Sequence, residues 1–413
     1  MAATPRAIDR EVYGKLYGTD MSWKMVHPNN NVFAEYTLEQ VTSYMGTKLS
    51  NLPGPSLGDA NSKLRGGAVP TTGLPTNYDS RQKHGDCLQG IRNQLHCGSC
   101  WAFAAAETLS DNLCITGTDG NVPLSAQDLV SCDSNDHGCQ GGTLPSAWKF
   151  LSTSGIVSQS CLPYTAGNGT VDTCALGQCA DDASGSYEKY KCESKSNMLG
   201  DANAIKNGVM QVGSAETGFY VYQDFLSYKS GTFFIFSYQP IPRCMTRTNF
   251  SISLSLYYHW IFLSLLCRSG IYKHDPSTGN NPLGGHAVRI MGWGQDPDTK
   301  EKYWTVANSW GPSWGMDGYF KISFDDKYSG FAMGGGFNCG DLKPAPPAPT
   351  PAPGPATCAD ILPSKQCAQF KDTCAKGIWG ECKATCGCCQ EFNKPAYCSK
   401  SNPVSSVSSR TFQ

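Results

Sequence analysis

The sequence has almost no net charge, because 33 lysines and arginines face 34 aspartates and glutamates. No basic stripe runs along it, which excludes the electrostatic footprint of a nucleic-acid-binding protein. The start, residues 1–20, is charged throughout and lacks the apolar run of a signal peptide. Residues 1–72 lack cysteine, and no internal repeat is present, which excludes a repeat architecture.

Cysteine is what the sequence has in excess, with 21 residues among 413. So many thiols indicate an oxidising or lysosome-like compartment, and we expect a secreted or lysosome- or vacuole-like protein. Because such a protein begins with a signal peptide and none is visible, we expect the start of the chain to be incomplete. The odd count predicts one thiol that is free or paired outside the chain.

The first two stretches of the chain differ sharply in composition. Residues 1–72 read as a removable leader with one short helix over 37–49. Residues 73–343 hold 13 cysteines and mix an Ala-rich helical run at 101–113 with apolar strand patterns. Those strands are predicted at 285–293 and 303–310, so this stretch is expected to fold as an α+β domain.

Three further stretches follow the α+β domain. Seven prolines make 344–357 a semi-rigid spacer of polyproline type. Eight cysteines within 358–398 indicate a small domain that is held together by disulfides. The Ser-rich residues 399–413 are predicted to be a flexible tail.

The segment richest in chemical signals is 94–101, which reads QLHCGSCW and precedes the helical run. A cysteine at a helix N-terminus is favoured as thiolate, which makes Cys100 a candidate nucleophile for acyl transfer. Cys97 and Cys100 also have the spacing of a redox pair or of half a zinc site. No second pair lies at zinc-ribbon spacing in this domain, and a redox motif usually has its Trp before the first Cys, whereas Trp101 follows the second.

A nucleophilic cysteine needs a base and a group that orients the base. His286 lies at the start of the first predicted strand, among small residues. Asn308, 22 residues further on, ends the second predicted strand and could hydrogen-bond the imidazole. A single histidine is usually structural, but the combination with Cys100 favours a catalytic role.

These motifs resemble the papain family of cysteine proteases, whose signature is Cys-Gly-Ser-Cys-Trp with His and Asn downstream. The resemblance covers the leader and the whole of 73–343, and within the family the chain looks most like cathepsin B. Four segments carry this likeness: MSW…MG at 21–46, LP…R…C at 74–87, SAQDL at 125–129 and GCQGG at 138–142. It implies a two-lobed papain-like fold, with a helical left lobe and a β-barrel-like right lobe.

The resemblance also implies a role for each matching position. Cys100 would be the nucleophile, His286 the general base and then acid, and Asn308 the group that orients His286. Gln94 would donate to the oxyanion together with the Cys100 backbone N–H. The resemblance implies three substrate-binding residues. Gly141 and Gly142 would line the cleft, and Trp310 would shield the Asn–His hydrogen bond from water.

The resemblance suggests four disulfides, Cys87–Cys114, Cys97–Cys139, Cys132–Cys174 and Cys161–Cys179. It leaves Cys192 without a partner, and Cys339 resembles a late cysteine that is often unpaired in this family. A cathepsin B-type occluding loop would need paired histidines between Cys161 and Cys179, and there are none. We therefore expect an endopeptidase and not a C-terminal dipeptidase.

The segment 232–270 interrupts the family pattern and contains a nearly continuous apolar run at 251–267. A membrane span there would separate Cys100 from His286, so we expect none. Joining the flanks restores the family pattern, and both junctions read Ser-Gly. We predict that this anomalous insert is a retained intron; without it, the Cys100–His286 separation falls from 186 to 147 residues, near the family's usual spacing of roughly 130–150.

The C-terminal module resembles the ShK-toxin-like fold. That resemblance implies the pairs Cys358–Cys389, Cys367–Cys382 and Cys374–Cys386. Lys376 is followed by Gly and not by Tyr, so we do not predict channel blocking. The long spacer favours a binding or tethering role for this module, with a protein partner; a stable cap without a partner is the open alternative.

Together these patterns predict a cysteine-type endopeptidase that is made as a zymogen and acts on peptide and protein substrates. Its own propeptide would be its inhibitor, and neither a metal nor a cofactor is expected. Two alternatives remain open. One is an inactive protease-like protein that binds through its ShK-like module, and the other is a thiol oxidoreductase, which requires a Cys97–Cys100 disulfide.

Overall fold

The computed structural model describes residues 4–17, 19, 21–49, 73–117, 119–175, 177–180, 187–192, 196–229, 269–332 and 335–340. All of them lie in the first of the two units into which the chain divides, residues 1–345. The predictions for 50–72, for the insert apart from its last two residues, for the linker, for the ShK-like module and for the tail lie outside the described residues. Within these ranges, no helix is long and apolar enough to span a bilayer.

The described residues form short helices and a mainly antiparallel sheet. The helices are α1 (Arg10–Leu16), α2 (Leu38–Thr42), α3 (Ser80–His84), α4 (Cys100–Thr116), α5 (Ala126–Cys132), α6 (Leu144–Thr153) and α7 (Ala202–Val212). The strands are β1 (Lys24–Met25), β2 (Tyr78–Asp79), β3 (Ser196–Leu199), β4 (Ala215–Val221), β5 (Tyr228–Lys229), β6 (Ile271–Tyr272), β7 (Gly284–Gln295), β8 (Lys302–Ala307), β9 (Tyr319–Ser323) and β10 (Gly336–Cys339).

The large sheet has the strand order β3-β10-β4-β7-β8-β9-β6, and β2 adds to the far end of β7. All pairs are antiparallel except β6 with β9. The strand β7 lies between β4 and β8, and its residues from Gly285 to Gly294 are all buried. A strand covered on both faces reads as a continuous apolar run, which is why the sequence pattern at 285–293 is so pronounced.

Two apolar cores give the domain its two lobes. One lies on the sheet and is built from aromatic side chains such as Phe219, Phe225 and Phe320. The other surrounds α4 and includes Leu109, Leu129 and Trp148. The papain-like fold, with mixed helix and sheet and with disulfides, is therefore present.

The helix α4 is the centre of the helical lobe. Every residue from Cys100 to Leu113 is buried, so the helix has no solvent face and needs small side chains such as those of Ala104, Ala105 and Ala106 to pack on all sides. It ends at Gly117, which takes the left-handed conformation (φ 75°) that suits a glycine C-cap.

The helix predicted over 37–49 is correct only for its first turn. Thr37 caps α2 through a reciprocal capping box with Gln40, but the helix stops at Thr42. Gly46 and Thr47 are instead extended and bridge to Gly285 and Gly142 of the main domain. Pairing with distant segments has overridden the local helical pattern.

The N-terminal segment packs against the sheet lobe at its other end as well. Trp23 is buried between Tyr228 and Tyr272, and its indole N–H donates to the Lys273 carbonyl. The strand β1 pairs with β5, so residues 4–49 are an integral part of the sheet-lobe core.

Five disulfides link the described cysteines. Four of them are the pairs suggested by the resemblance: Cys87–Cys114, Cys97–Cys139, Cys132–Cys174 and Cys161–Cys179. The fifth joins Cys192 to Cys339, so the expectation that Cys339 stays unpaired is wrong. Both residues are buried against the core around α4, which brings their sulfur atoms together.

Candidate active site

Cys100 is the first residue of α4 and lies between the two lobes. It is the one free cysteine among the described residues, and it is completely buried. Burial raises the pKa of its thiol, while hydrogen bonds from Thr47 and from the backbone N–H groups of Ala287, Gly46 and Trp101 act in the opposite direction. Burial is the larger of these effects, so the pKa of the Cys100 thiol in the covered site lies above its ordinary value.

His286 and Asn308 meet because β7 and β8 are neighbours in the sheet. His286 Nε2 lies 2.7 Å from Asn308 Oδ1, and this oxygen also accepts the Ser309 N–H at 2.8 Å. The other ring nitrogen, Nδ1, is buried and has no hydrogen-bond partner among the described residues. Burial lowers the pKa of His286 to about 4, although the hydrogen bond with Asn308 raises it.

Trp310 packs on the imidazole, with ring centroids 4.8 Å apart. It is 4% exposed and also contacts Phe225 and Trp314, which fix its ring. An apolar ring in this position keeps water away from the His286–Asn308 hydrogen bond, and a polar contact in a dry site is stronger than one in water.

Gln94 lies six residues before Cys100, and three hydrogen-bond partners orient its side chain. Its Oε1 accepts the Ser309 hydroxyl at 2.7 Å, so its Nε2 faces the cleft. That amide donates to the carbonyls of Cys97 and of Tyr44, both at 2.9 Å. A carbonyl of the N-terminal segment therefore occupies the donor that an oxyanion would need.

Gly141 and Gly142 form a wall of the cleft through their backbone. Gly142 donates its N–H to the Gly46 carbonyl and accepts the Lys48 N–H, both at 2.9 Å. A Cβ atom at Gly141, whose φ is +105°, would lie 2.2 Å from the Gly46 oxygen, so only glycine permits this approach. The opposite wall is Gly285, whose carbonyl accepts the Thr47 N–H at 3.0 Å.

The N-terminal segment thus runs directly over Cys100. The Thr47 hydroxyl lies 3.0 Å from Cys100 Sγ. Gly46 is packed so tightly that a Cβ atom there would overlap the Gly98 carbonyl group. Two aromatic residues of the N-terminal segment also contact the main domain. Phe33 packs edge-on against Trp310, and Tyr36 stacks on His96 with ring centroids 5.2 Å apart.

A buried ion cluster behind the site was missed by the sequence analysis. Arg289 lies three residues beyond His286 on β7. It donates to Asp111 at 2.6 Å and lies 3.5 Å from Glu107. All three side chains are buried, and both carboxylates belong to α4. The available signal was the pair of acidic residues at i and i+4 in an otherwise Ala-rich helix.

The alternative chemistries find no support in this geometry. Cys97 is bonded to Cys139, so the Cys97–Cys100 disulfide of a thiol oxidoreductase is absent. Within the part of the chain that the structure describes, no group of three or more His, Cys, Asp or Glu side chains is arranged to hold a metal ion.

Comparison with known proteins identifies the family of this chain. The sequence profile of the papain family cysteine proteases matches residues 74–257 and 256–334, more than half of the chain. The two matched stretches meet inside the 232–270 segment.

Several similar proteins are cathepsin B-like. Cathepsin B-like CP3 of Giardia intestinalis is 35% identical over 258 residues, which are 62% of this chain and 71% of that protein. Cathepsin B-like cysteine proteinase 4 of Caenorhabditis elegans is 33% identical, over 60% and 70% of the two chains. Among solved structures, proCathepsin B S9 from Trypanosoma congolense shares 26% identity with a TM-score of 0.55, covering 80% of this chain and 96% of that one. The chain therefore belongs to the papain family of cysteine proteases, and within it to the cathepsin B-like peptidases.

Proposed function

We propose that this peptidase is a zymogen-derived endopeptidase in which Cys100, His286, Asn308 and Gln94 carry out the reaction. The observation that supports this most directly is the 2.7 Å contact between His286 Nε2 and Asn308 Oδ1. The next residue, Ala287, hydrogen-bonds through its backbone N–H to Cys100, the one free cysteine among the described residues. Asn308 holds Nε2, which leaves Nδ1 as the nitrogen that exchanges a proton with the thiol.

The reaction begins when His286 Nδ1 takes the Cys100 proton and the thiolate attacks the carbonyl carbon of the scissile peptide bond. The carbonyl oxygen becomes an oxyanion, which accepts from Gln94 Nε2 and from the Cys100 backbone N–H. The C–N bond then breaks, and the imidazolium gives its proton to the departing amine. A thioester acyl-enzyme remains on Cys100.

Water completes the turnover. His286 takes a proton from the water molecule as it attacks the thioester carbonyl. The second tetrahedral intermediate expels the thiolate of Cys100, which recovers a proton from His286. No electrons are exchanged, so the reaction needs no redox partner and no cofactor.

The N-terminal residues act as the propeptide inhibitor in this proposal. Gly46, Thr47 and Lys48 use the same backbone groups of Gly142 and Gly285 that a substrate strand would use. The Tyr44 carbonyl occupies the Gln94 amide, and the Thr47 hydroxyl covers the sulfur. Solved proforms among the similar structures support this assignment.

Endopeptidase specificity is supported by the disulfide loop from Cys161 to Cys179. It is closed by a bond across only 18 residues and contains no histidine to hold a substrate's C-terminal carboxylate. Five disulfides favour an oxidising route for the chain, so we place the protein outside the cell or in a lysosome-like compartment.

The decisive test is labelling with a peptidyl epoxide, which alkylates activated cleft cysteines, followed by intact-mass measurement. The full chain and a version that lacks 232–270 are labelled after removal of the propeptide. We expect one adduct and peptide hydrolysis, both lost in Cys100→Ala. Hydrolysis that survives in Cys100→Ala would exclude the proposal, and labelling of the shortened chain alone would support the retained-intron prediction. The alternative of an inactive, ShK-dependent binding protein is not favoured, because the similar proteins include named proteinases.

A further inference from the structure

The hydroxyl of Tyr164 touches both ends of the loop that carries the active-site groups. It donates to the Gln94 carbonyl at 2.7 Å and lies 2.9 Å from the Ser99 hydroxyl. A phenol has one proton, which goes to the carbonyl, so Ser99 must donate in turn to the phenol oxygen. One oxygen atom therefore ties together the main chain at Gln94 and the residue that precedes Cys100.

One residue of the loop between these two points has an uncommon backbone conformation. Leu95 has a φ of +53°, which is uncommon for a residue with a side chain, and it is 41% exposed. Three backbone bonds and the disulfide of Cys97 also restrain the loop: Gln94 N–H donates to Ser309 at 2.9 Å, His96 N–H to Gly167 at 2.9 Å and Gly98 N–H to Cys139 at 3.1 Å. None of these bonds joins the two ends of the loop, as the Tyr164 hydroxyl does. A backbone in this conformation keeps its shape only while its surroundings fix it.

Tyr164 itself is firmly placed. Its ring packs edge-on against Phe103 of α4, with centroids 4.6 Å apart. Its loop is closed by Cys161–Cys179, and the Ser125 hydroxyl donates to the Leu162 carbonyl at 2.7 Å. Burial raises the pKa of Tyr164 to about 12, so the phenol stays a donor over the whole working range of a peptidase.

We propose that Tyr164 is a positioning residue for the oxyanion hole. Its hydroxyl fixes the separation between the Gln94 amide and the first N–H of α4, the two donors that must converge on one developing charge. This inference rests on the proposed roles of Gln94 and Cys100. Because the charge exists only in the transition state, the contribution of Tyr164 falls on kcat and not on substrate affinity.

The test compares Tyr164→Phe with the parent enzyme after activation of the full chain. The variant leaves a buried carbonyl without its donor, and we expect kcat to fall roughly tenfold while KM changes less than about twofold. A peptide aldehyde, whose hemithioacetal oxygen occupies the oxyanion hole, should lose affinity by the same factor as kcat. Ser99→Ala should act in the same direction, since Ser99 makes no side-chain cap to α4 and its loss removes little else.

Tyr222→Phe is the matched control, because that hydroxyl donates to the Tyr328 carbonyl at 3.2 Å, outside the catalytic groups. It should leave kcat unchanged. An unchanged kcat in both Tyr164→Phe and Ser99→Ala would overturn the proposal. A rise in KM as large as the fall in kcat would also overturn it. Epoxide labelling of Cys100 separates the two levels: failure to label in both the full chain and the version that lacks 232–270 would overturn the proposed function and this inference together.

Discussion

At the scale of single residues, the tightest contact between the propeptide and the cleft is at Gly46. A Cβ atom there would lie 1.7 Å from the Gly98 oxygen and 2.6 Å from its Cα, both backbone atoms that cannot rotate away. Any side chain at this position must push the strand out of the cleft. The backbone hydrogen bonds of Thr47 and Lys48 would then be lost with it.

We predict that Gly46→Ala weakens inhibition by a separate propeptide, residues 1–72, by tenfold or more, roughly the effect of losing one or two hydrogen bonds. The measurement is the inhibition constant against the activated enzyme. Gly14→Ala is the control, since a Cβ atom there meets nothing within 4 Å. Equal inhibition by the two variant peptides would contradict the placement of residues 46–48.

The sequence was sufficient to choose the candidate catalytic residues, because each lies in a distinctive local motif. Cys100 follows the Gly-Ser pair at the start of a helical run, and His286 follows two glycines. It was not sufficient for the Arg289 cluster or for Cys192–Cys339, because those partners are 178 and 147 residues apart and no local pattern links them. Contacts between residues so far apart in the sequence follow from tertiary packing and not from local sequence.

At the scale of elements, the site depends on the contact between α4 and β7, one from each lobe. Arg289 of β7 reaches Asp111 and Glu107 of α4, and it also donates to the Gln89 carbonyl at 2.8 Å. Ser214 and the Gln89 N–H satisfy Asp111 further. Burial raises the pKa of both carboxyls, and the Arg289 charge acts against this shift.

We predict that Arg289→Met lowers the free energy of unfolding by about 3–5 kcal/mol, because buried Asp111 loses its ion-pair partner and buried Glu107 keeps only Arg92, at 3.7 Å. Urea unfolding of the Cys100→Ala zymogen measures this without self-cleavage. Lys15→Met is the comparison, since the Lys15–Glu11 pair is largely exposed and should be worth at most about 1 kcal/mol. A loss below about 1 kcal/mol for Arg289→Met would show that the cluster does not hold the lobes together.

Helix and strand types followed from the sequence where burial is uniform, as in α4 and β7. The prediction over 37–49 failed because that segment gains its hydrogen bonds from Gly142 and Gly285, far away in sequence. The capping box at Thr37 indicates where the helix begins. It does not indicate that the residues after the helix will pair as a strand with Gly142 and Gly285.

At the scale of the whole molecule, propeptide binding and proton uptake are linked through His286. Its pKa is about 4 in the covered site, below its ordinary value near 6.5. Between these values, the covered state binds fewer protons than an open site in which the imidazole is solvated. Acidification through this window therefore weakens propeptide binding, by up to about tenfold per pH unit.

We predict that the propeptide binds Cys100→Ala enzyme markedly less tightly near pH 4 than near pH 7, as measured by calorimetry. The Cys100→Ala background removes the thiol from the comparison. Adding His286→Gln should flatten the pH dependence, because the glutamine cannot take up the proton. Identical pH profiles for the two proteins would assign the effect to groups other than His286.

The disulfide Cys97–Cys139 gives the enzyme a limited range of reducing conditions in which it can work. The catalytic thiol must stay reduced, since its sulfenic acid is inactive, yet any thiol that restores it also attacks disulfides. This bond ties the loop of Gln94 to the Gly141–Gly142 wall, and Cys97 is fully buried. An attacking thiol reaches the Cys97 sulfur only after local opening, whereas Cys139 is partly exposed. Moderate reductant should therefore activate the enzyme, and strong reductant should break this bond and disrupt the cleft beside Cys100.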